Sequence, residues 1–145
     1  MQKMGLLVVA LSYVVVSHSL AQVREEQHRL KYSVLYTDSE DVTHFRDEYF
    51  PWNDGGGDYS TTPLADATQI GFLSIHTGSR SDWHPAPRKQ FVMVLDGLVE
   101  VEAGDGERRE FAPGSVLLVT DTEGRGHRTN NLGDGPATIV WVPVP

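Results

Sequence analysis

Apolar and polar positions alternate over short stretches along most of this chain. Leu98–Ala103 is the clearest case: Val99, Val101 and Ala103 fall on one face and Glu100 and Glu102 on the other, the period-two signature of a half-buried strand. Glu100 and Glu102 then read as the solvated face of a hairpin. Phe91–Leu95 is a run of five apolar residues, the pattern of a strand covered on both faces. Tyr32–Tyr36, Gln69–Thr77, Arg108–Phe111, Val116–Val119 and Thr138–Val142 complete a series of short strands rich in β-branched and aromatic residues. Val42–Phe50 is mixed and fits either a helical turn or an edge strand.

Turn residues punctuate the series. Gly104-Asp105-Gly106 and Ala112-Pro113-Gly114 separate adjacent strands, and Asp-Gly adopts the positive φ of a tight hairpin at little cost. Residues 51–63 carry three consecutive glycines between prolines, together with Trp52 and Tyr59. They read as a mobile loop, either a surface excursion or a lid over a pocket mouth. Short strands at regular spacing, with no long amphipathic pattern and no internal repeat, predict an all-β sandwich or barrel in a single domain.

The first 21 residues depart from this pattern. Lys3 precedes an almost wholly apolar stretch, Gly5–Val16, and Ser19-Leu20-Ala21 supplies small residues at the two positions that a signal peptidase reads. This predicts a secretory signal peptide over 1–21, cleavage after Ala21, and a secreted mature domain over 22–145. The apolar run falls short of the roughly 20 residues that a spanning helix needs. No membrane association is therefore expected after cleavage. Gln22–Lys31 is polar and charged and is expected at the surface.

Loss of Met1–Ala21 removes one lysine and no acid, leaving 11 Lys and Arg against 20 Asp and Glu. That balance disfavours nucleic acid, whose phosphates require clustered cations. There is no cysteine, which excludes a disulfide framework, a thiolate nucleophile and a Cys-type zinc site. No Asn-x-Ser/Thr acceptor is present. A Gly-x-Ser-x-Gly elbow is also lacking, and Gly55-Gly56-Gly57 is not followed by the Lys-Ser/Thr of a phosphate loop.

The candidate chemistry lies in two segments. The first runs Gly78, five residues, His84, Pro85, Ala86, three residues, Gln90, six residues, Gly97. The second begins at Gly114, continues through Val116–Val119, and reaches Gly124-Arg125-Gly126-His127 with Asn131 beyond. In this order and at this separation they resemble the two motifs of the cupin family, over about Gly71 to Val142. The resemblance implies a double-stranded β-helix, or jelly-roll barrel, with motif side chains directed at one metal inside it.

Three positions depart from that pattern. Ala86 stands where the second histidine would be, Gln90 where the acid would be, and Thr120 where the family has proline. The loop Asp121-Thr122-Glu123 is also about two residues longer than usual. The chain further resembles a narrower group of small cupins, through Asp82-Trp83-His84-Pro85-Ala86-Pro87-Arg88, Gln90 and the Asp-Thr-x-Gly-x-Gly-His run at 121–127. That resemblance implies that Ala86 and Gln90 are ordinary residues at these positions.

On an extended segment Asp82, His84 and Ala86 share one face. His127 would meet them from a distant strand, with Gln90 re-entering beside them. His84, Gln90 and His127 are then the candidate metal ligands, for iron, manganese, nickel, copper or zinc. Asp82 is a candidate source of negative charge. Without metal, His84 and His127 remain candidate acid–base groups, or simply partners in a hydrogen-bonded interior. Arg88 and Arg125 flank the two histidine segments and are candidates to grip a substrate carboxylate. His76 is read as a non-ligand, and Trp83 and Trp141 as packing residues. Two functions stay open: a secreted enzyme acting on a small molecule in the barrel, and a non-catalytic ligand-binding or structural protein. The family resemblance also implies a homodimer.

Overall fold

The computed structural model describes residues 29–145, and among these there is no helix. The expected signal peptide over 1–21 and residues 22–28 of the polar stretch lie outside the described residues. Among the described residues two compact units are separated by their contacts: residues 29–30 with 50–63, and residues 31–49 with 64–145. In the first, β3 (Asn53–Asp54) and β4 (Ser60–Thr61) form a small antiparallel hairpin. Trp52 and Tyr59 are exposed there.

The second unit is built from β1 (Leu30–Thr37), β2 (Thr43–Phe50), β5 (Gly71–Ile75), β6 (Gln90–Asp96) and β7 (Val99–Glu102), with β8 (Arg108–Phe111), β9 (Val116–Val119), β10 (Arg128–Asn131) and β11 (Ala137–Pro143). A six-stranded sheet has the order β2-β1-β9-β6-β11-β5, and a three-stranded sheet the order β10-β7-β8. β10 with β7, β7 with β8, β11 with β5 and with β6, and β6 with β9 pair antiparallel, whereas β1 and β9 run parallel. This is the all-β jelly roll that strand spacing and motif order predict.

The ambiguous segment 42–50 resolves as strand β2. His44 shows what holds its start. Its Nδ1 lies 2.7 Å from Asp105 Oδ2 and its Nε2 2.9 Å from Asp38 Oδ2. The imidazole thus joins the β1–β2 turn to the β7–β8 turn. The hydrogen bond that the ring donates to Asp38, followed by that to Asp105, raises the His44 pKa above its ordinary value. The Asp38 carboxyl is held below its usual range, first by the amides of Val42 and Glu40. A raised imidazole pKa stabilises the fold fully below the unfolded value of about 6.5, and that contribution fades as pH rises through the folded value. Thermal unfolding is therefore expected to lose more stability between pH 6 and pH 8 (both approximate) in the parent chain than in His44→Gln. Equal pH slopes would contradict the clamp.

Two strand readings need adjusting. Leu95 is exposed, so Phe91–Leu95 is not covered on both faces: in a two-sheet fold only the face carrying Val92 and Val94 turns inward. Glu102 is 7% exposed rather than solvated. Arg128 Nε donates to its Oε2 at 2.7 Å, and the Arg108 and Arg80 guanidinium groups stand at 3.2 and 3.7 Å. The Arg128 hydrogen bond above all holds this carboxyl below its usual pKa. Alternation puts Glu102 on the outer face, and arginine stems from neighbouring segments cover it.

The inward faces of the two sheets form the core. Val94, Val99, Val101, Phe111, Val119 and Ile139 are all at most 7% exposed. They do not close completely on each other: a cavity of about 380 Å³ lies between them.

Candidate functional site

Chain geometry accounts for how His84 reaches this cavity. Residues 79–86 run beside β10. Asn131 N donates to Ser79 O, Ser81 N to Thr129 O, and Ala86 N to Asp121 O, all at 2.9 Å. Pro85 and Pro87 have no amide hydrogen, so a continuous ladder cannot form. What remain are two isolated antiparallel bridges, Arg80 with Asn130 and His84 with His127; in the second each amide donates to the other's carbonyl, at 2.9 and 3.0 Å. Opposed residues in such a bridge put their side chains on the same side. The two imidazole centroids are 4.7 Å apart.

Gly126 makes that bridge approachable. It has φ 73°, a region L-residues rarely adopt, and a Cβ there would collide with the His84 carbonyl. Asn131, the last residue of the second motif, is 5% exposed. Its Nδ2 donates to the carbonyls of Ile75 and Gly135 at 2.9 Å and of His76 at 3.2 Å, which ties the end of β5 to β10.

The Nδ1 atom of each histidine has its own partner. His84 Nδ1 lies 2.9 Å from the Asp82 carbonyl oxygen, which only accepts, so Nδ1 carries the proton. His127 Nδ1 lies 2.7 Å from Asp121 Oδ2. With Nδ1 engaged in both rings, Nε2 is the nitrogen left for the cavity that His84 and His127 line. Asp121 is fully buried, and its Oδ1 has no hydrogen-bond partner. A buried carboxylate whose one side-chain partner is an imidazole is poorly compensated. Positive charge at the far nitrogen of that ring, from a proton or a metal ion, would offset it.

Gln90 opens β6 and is 7% exposed. It lines the cavity, and its amide makes no hydrogen bond among the described residues. His76, exposed, stands at the cavity mouth, and Trp141 contributes to the wall.

Three other candidates lie elsewhere. The Asp82 side chain is exposed and does not line the cavity; its main-chain carbonyl is the part that acts on His84. Arg88 faces a neighbouring recess of about 140 Å³, where its Nη1 is 3.5 Å from Gln69 Oε1. Arg125 stacks on Trp83, its guanidinium carbon 3.8 Å from the ring centroid, with Arg128 at 4.8 Å. Sequence reading missed Asp121 as a functional residue. It lies six residues before His127 in the lengthened loop, and its burial depends on the path of that loop.

No group of three or more His, Cys, Asp or Glu that could hold a metal is found among the described residues. A metal centre here would therefore rest on two imidazoles and the Gln90 amide.

A double-stranded β-helix with histidines from its two motifs facing one cavity defines a class of barrel proteins. Residues 71–143 match the family described as Cupin domain, and the chain belongs to the cupin family. Similar solved structures include a sugar phosphate isomerase of the cupin superfamily from Silicibacter pomeroyi, at 23% identity over 52% of this chain and 49% of that one, TM-score 0.44. A Cupin 2 conserved barrel domain protein from Salinispora arenicola is similar at 23% over 50% and 60%, TM-score 0.40. An uncharacterized conserved protein with a double-stranded β-helix domain from Klebsiella pneumoniae is similar at 21% over 64% and 80%, TM-score 0.46. The chain spans about half the length of the first of these. No curated protein matches the chain.

Proposed function

We propose that this protein is a secreted cupin that binds a small molecule in its barrel, at a divalent metal held by His84 Nε2, His127 Nε2 and the Gln90 carbonyl oxygen. The observation that carries this reading is the engagement of both Nδ1 atoms, by the Asp82 carbonyl and the Asp121 carboxylate. A metal-binding histidine characteristically donates its other N–H to a carboxylate or a carbonyl. The buried Asp121 also supplies the negative charge that the first-motif glutamine lacks. Two imidazoles and an amide leave several positions open, so the site would be weaker than one with a third histidine and an acid. When bound, the metal would supply Lewis acidity to a ligand oxygen. The protein's own part is to hold both rings in one tautomer. Secretion is proposed from Met1–Ala21 alone.

Ala86 favours the second reading, a binding protein without metal. It is 3% exposed at the position where the family pattern has a second histidine, so apolar wall replaces a ligand. Calorimetric titration of the purified chain with zinc, manganese and iron(II) separates the two. One equivalent bound by the parent chain supports the metal site. No binding of any of the three leaves the metal-free reading.

A further inference from the structure

The inner and outer parts of the cavity differ in chemistry. Its floor is made of buried apolar side chains, among them Val94, Val99, Val101, Phe111 and Val119. Its polar side chains are the buried Gln90 and His127, the exposed His84, and a rim of His76, Ser74, Ser79, Ser81 and Thr129 that is exposed or half-buried. Among the described residues no lysine, arginine, aspartate or glutamate lines it. The Gln90 side chain, more than nine-tenths buried and with no side-chain hydrogen bond among the described residues, lines both this space and the neighbouring recess. An amide so placed calls for a ligand oxygen or hydroxyl to complete it.

Accepting that the barrel is the binding site, we propose that its ligand is a small molecule with a mainly apolar body and a single hydroxyl or carbonyl head. The head meets Gln90, His84 and His127, and the body fills the valine-rich floor; an alkylated phenol is the minimal form. A polyhydroxylated body would bury hydroxyls against side chains that offer them no partner. A phosphate would find no lysine or arginine in the wall to grip it, since Arg125 is stacked on Trp83 and Arg88 faces the neighbouring recess. The volume of about 380 Å³ lies near the small end of ligand pockets.

The test is calorimetric titration of the purified chain with phenol, 4-methylphenol and 4-ethylphenol, and with glucose 6-phosphate. Affinity is expected to rise about fourfold for each added carbon, as apolar surface enters the floor. Glucose 6-phosphate is expected to bind more weakly than phenol. An affinity that is absent, flat or falling across the phenols, or tighter binding of the sugar phosphate, overturns the proposal. The metal titration is read separately. Zinc binding with a flat phenol series would overturn this ligand class alone, and a rising series with no metal bound would overturn the metal reading alone.

Discussion

His127→Ala is expected to abolish stoichiometric zinc binding, and Asp121→Asn to weaken it about 10- to 100-fold, the range typical of outer-sphere partners of metal-bound histidines. The two variants divide one interaction. Alanine at 127 removes the donor. Asparagine at 121 keeps a side-chain oxygen that still accepts from Nδ1, so ring position and tautomer persist and only the buried charge is lost. His84→Ala should match His127→Ala, because the rings stand 4.7 Å apart at one end of the cavity. Calorimetry with circular dichroism controls reads all three. Unchanged zinc affinity in Asp121→Asn would mean that its carboxylate serves packing alone. Retention of zinc in both alanine variants would put the metal elsewhere.

Gly126→Ala is expected to have the largest effect on stability. A left-handed backbone costs an L-residue about 1–2 kcal/mol. The added methyl would also collide with the His84 carbonyl, which accepts from His127 N in the bridge. Relief requires parting the two segments, and with them the reciprocal amide bonds, each contributing about 0.5–1.5 kcal/mol. A loss of about 3 kcal/mol or more is a large part of the stability of an ordinary domain. Urea denaturation should show a lower midpoint with little change in slope, together with lost zinc binding. A variant as stable as its parent would show that the segments tolerate separation.

How much of this was visible in the chain depends on the range of the interaction. Val99, Val101 and Ala103 declare their face by local alternation, and the structure buries all three. The motif order carries the jelly roll, and the match over 71–143 agrees with it. The burial of Glu102 was not legible, because Arg80 and Arg128 reach it from other segments. Asp82 looked like the acid of the site by its proximity to His84, whereas the structure brings its carbonyl, not its carboxylate, to that ring. Asp121 had no local signal: its role depends on a loop of unusual length turning its side chain inward under His127. The same limit applied to Arg125, whose neighbour in sequence is the histidine segment but whose neighbour in space is Trp83.

The most direct measurement is the tautomeric state of His84 and His127, from long-range proton–nitrogen correlation spectra of the ¹⁵N-labelled chain, with each ring assigned by substitution. The account predicts Nδ1–H with a bare Nε2 in both rings of the metal-free protein, and a joint shift of both Nε2 signals when zinc is added. A proton on Nε2 of either neutral ring, or a shift confined to one of them, would contradict it.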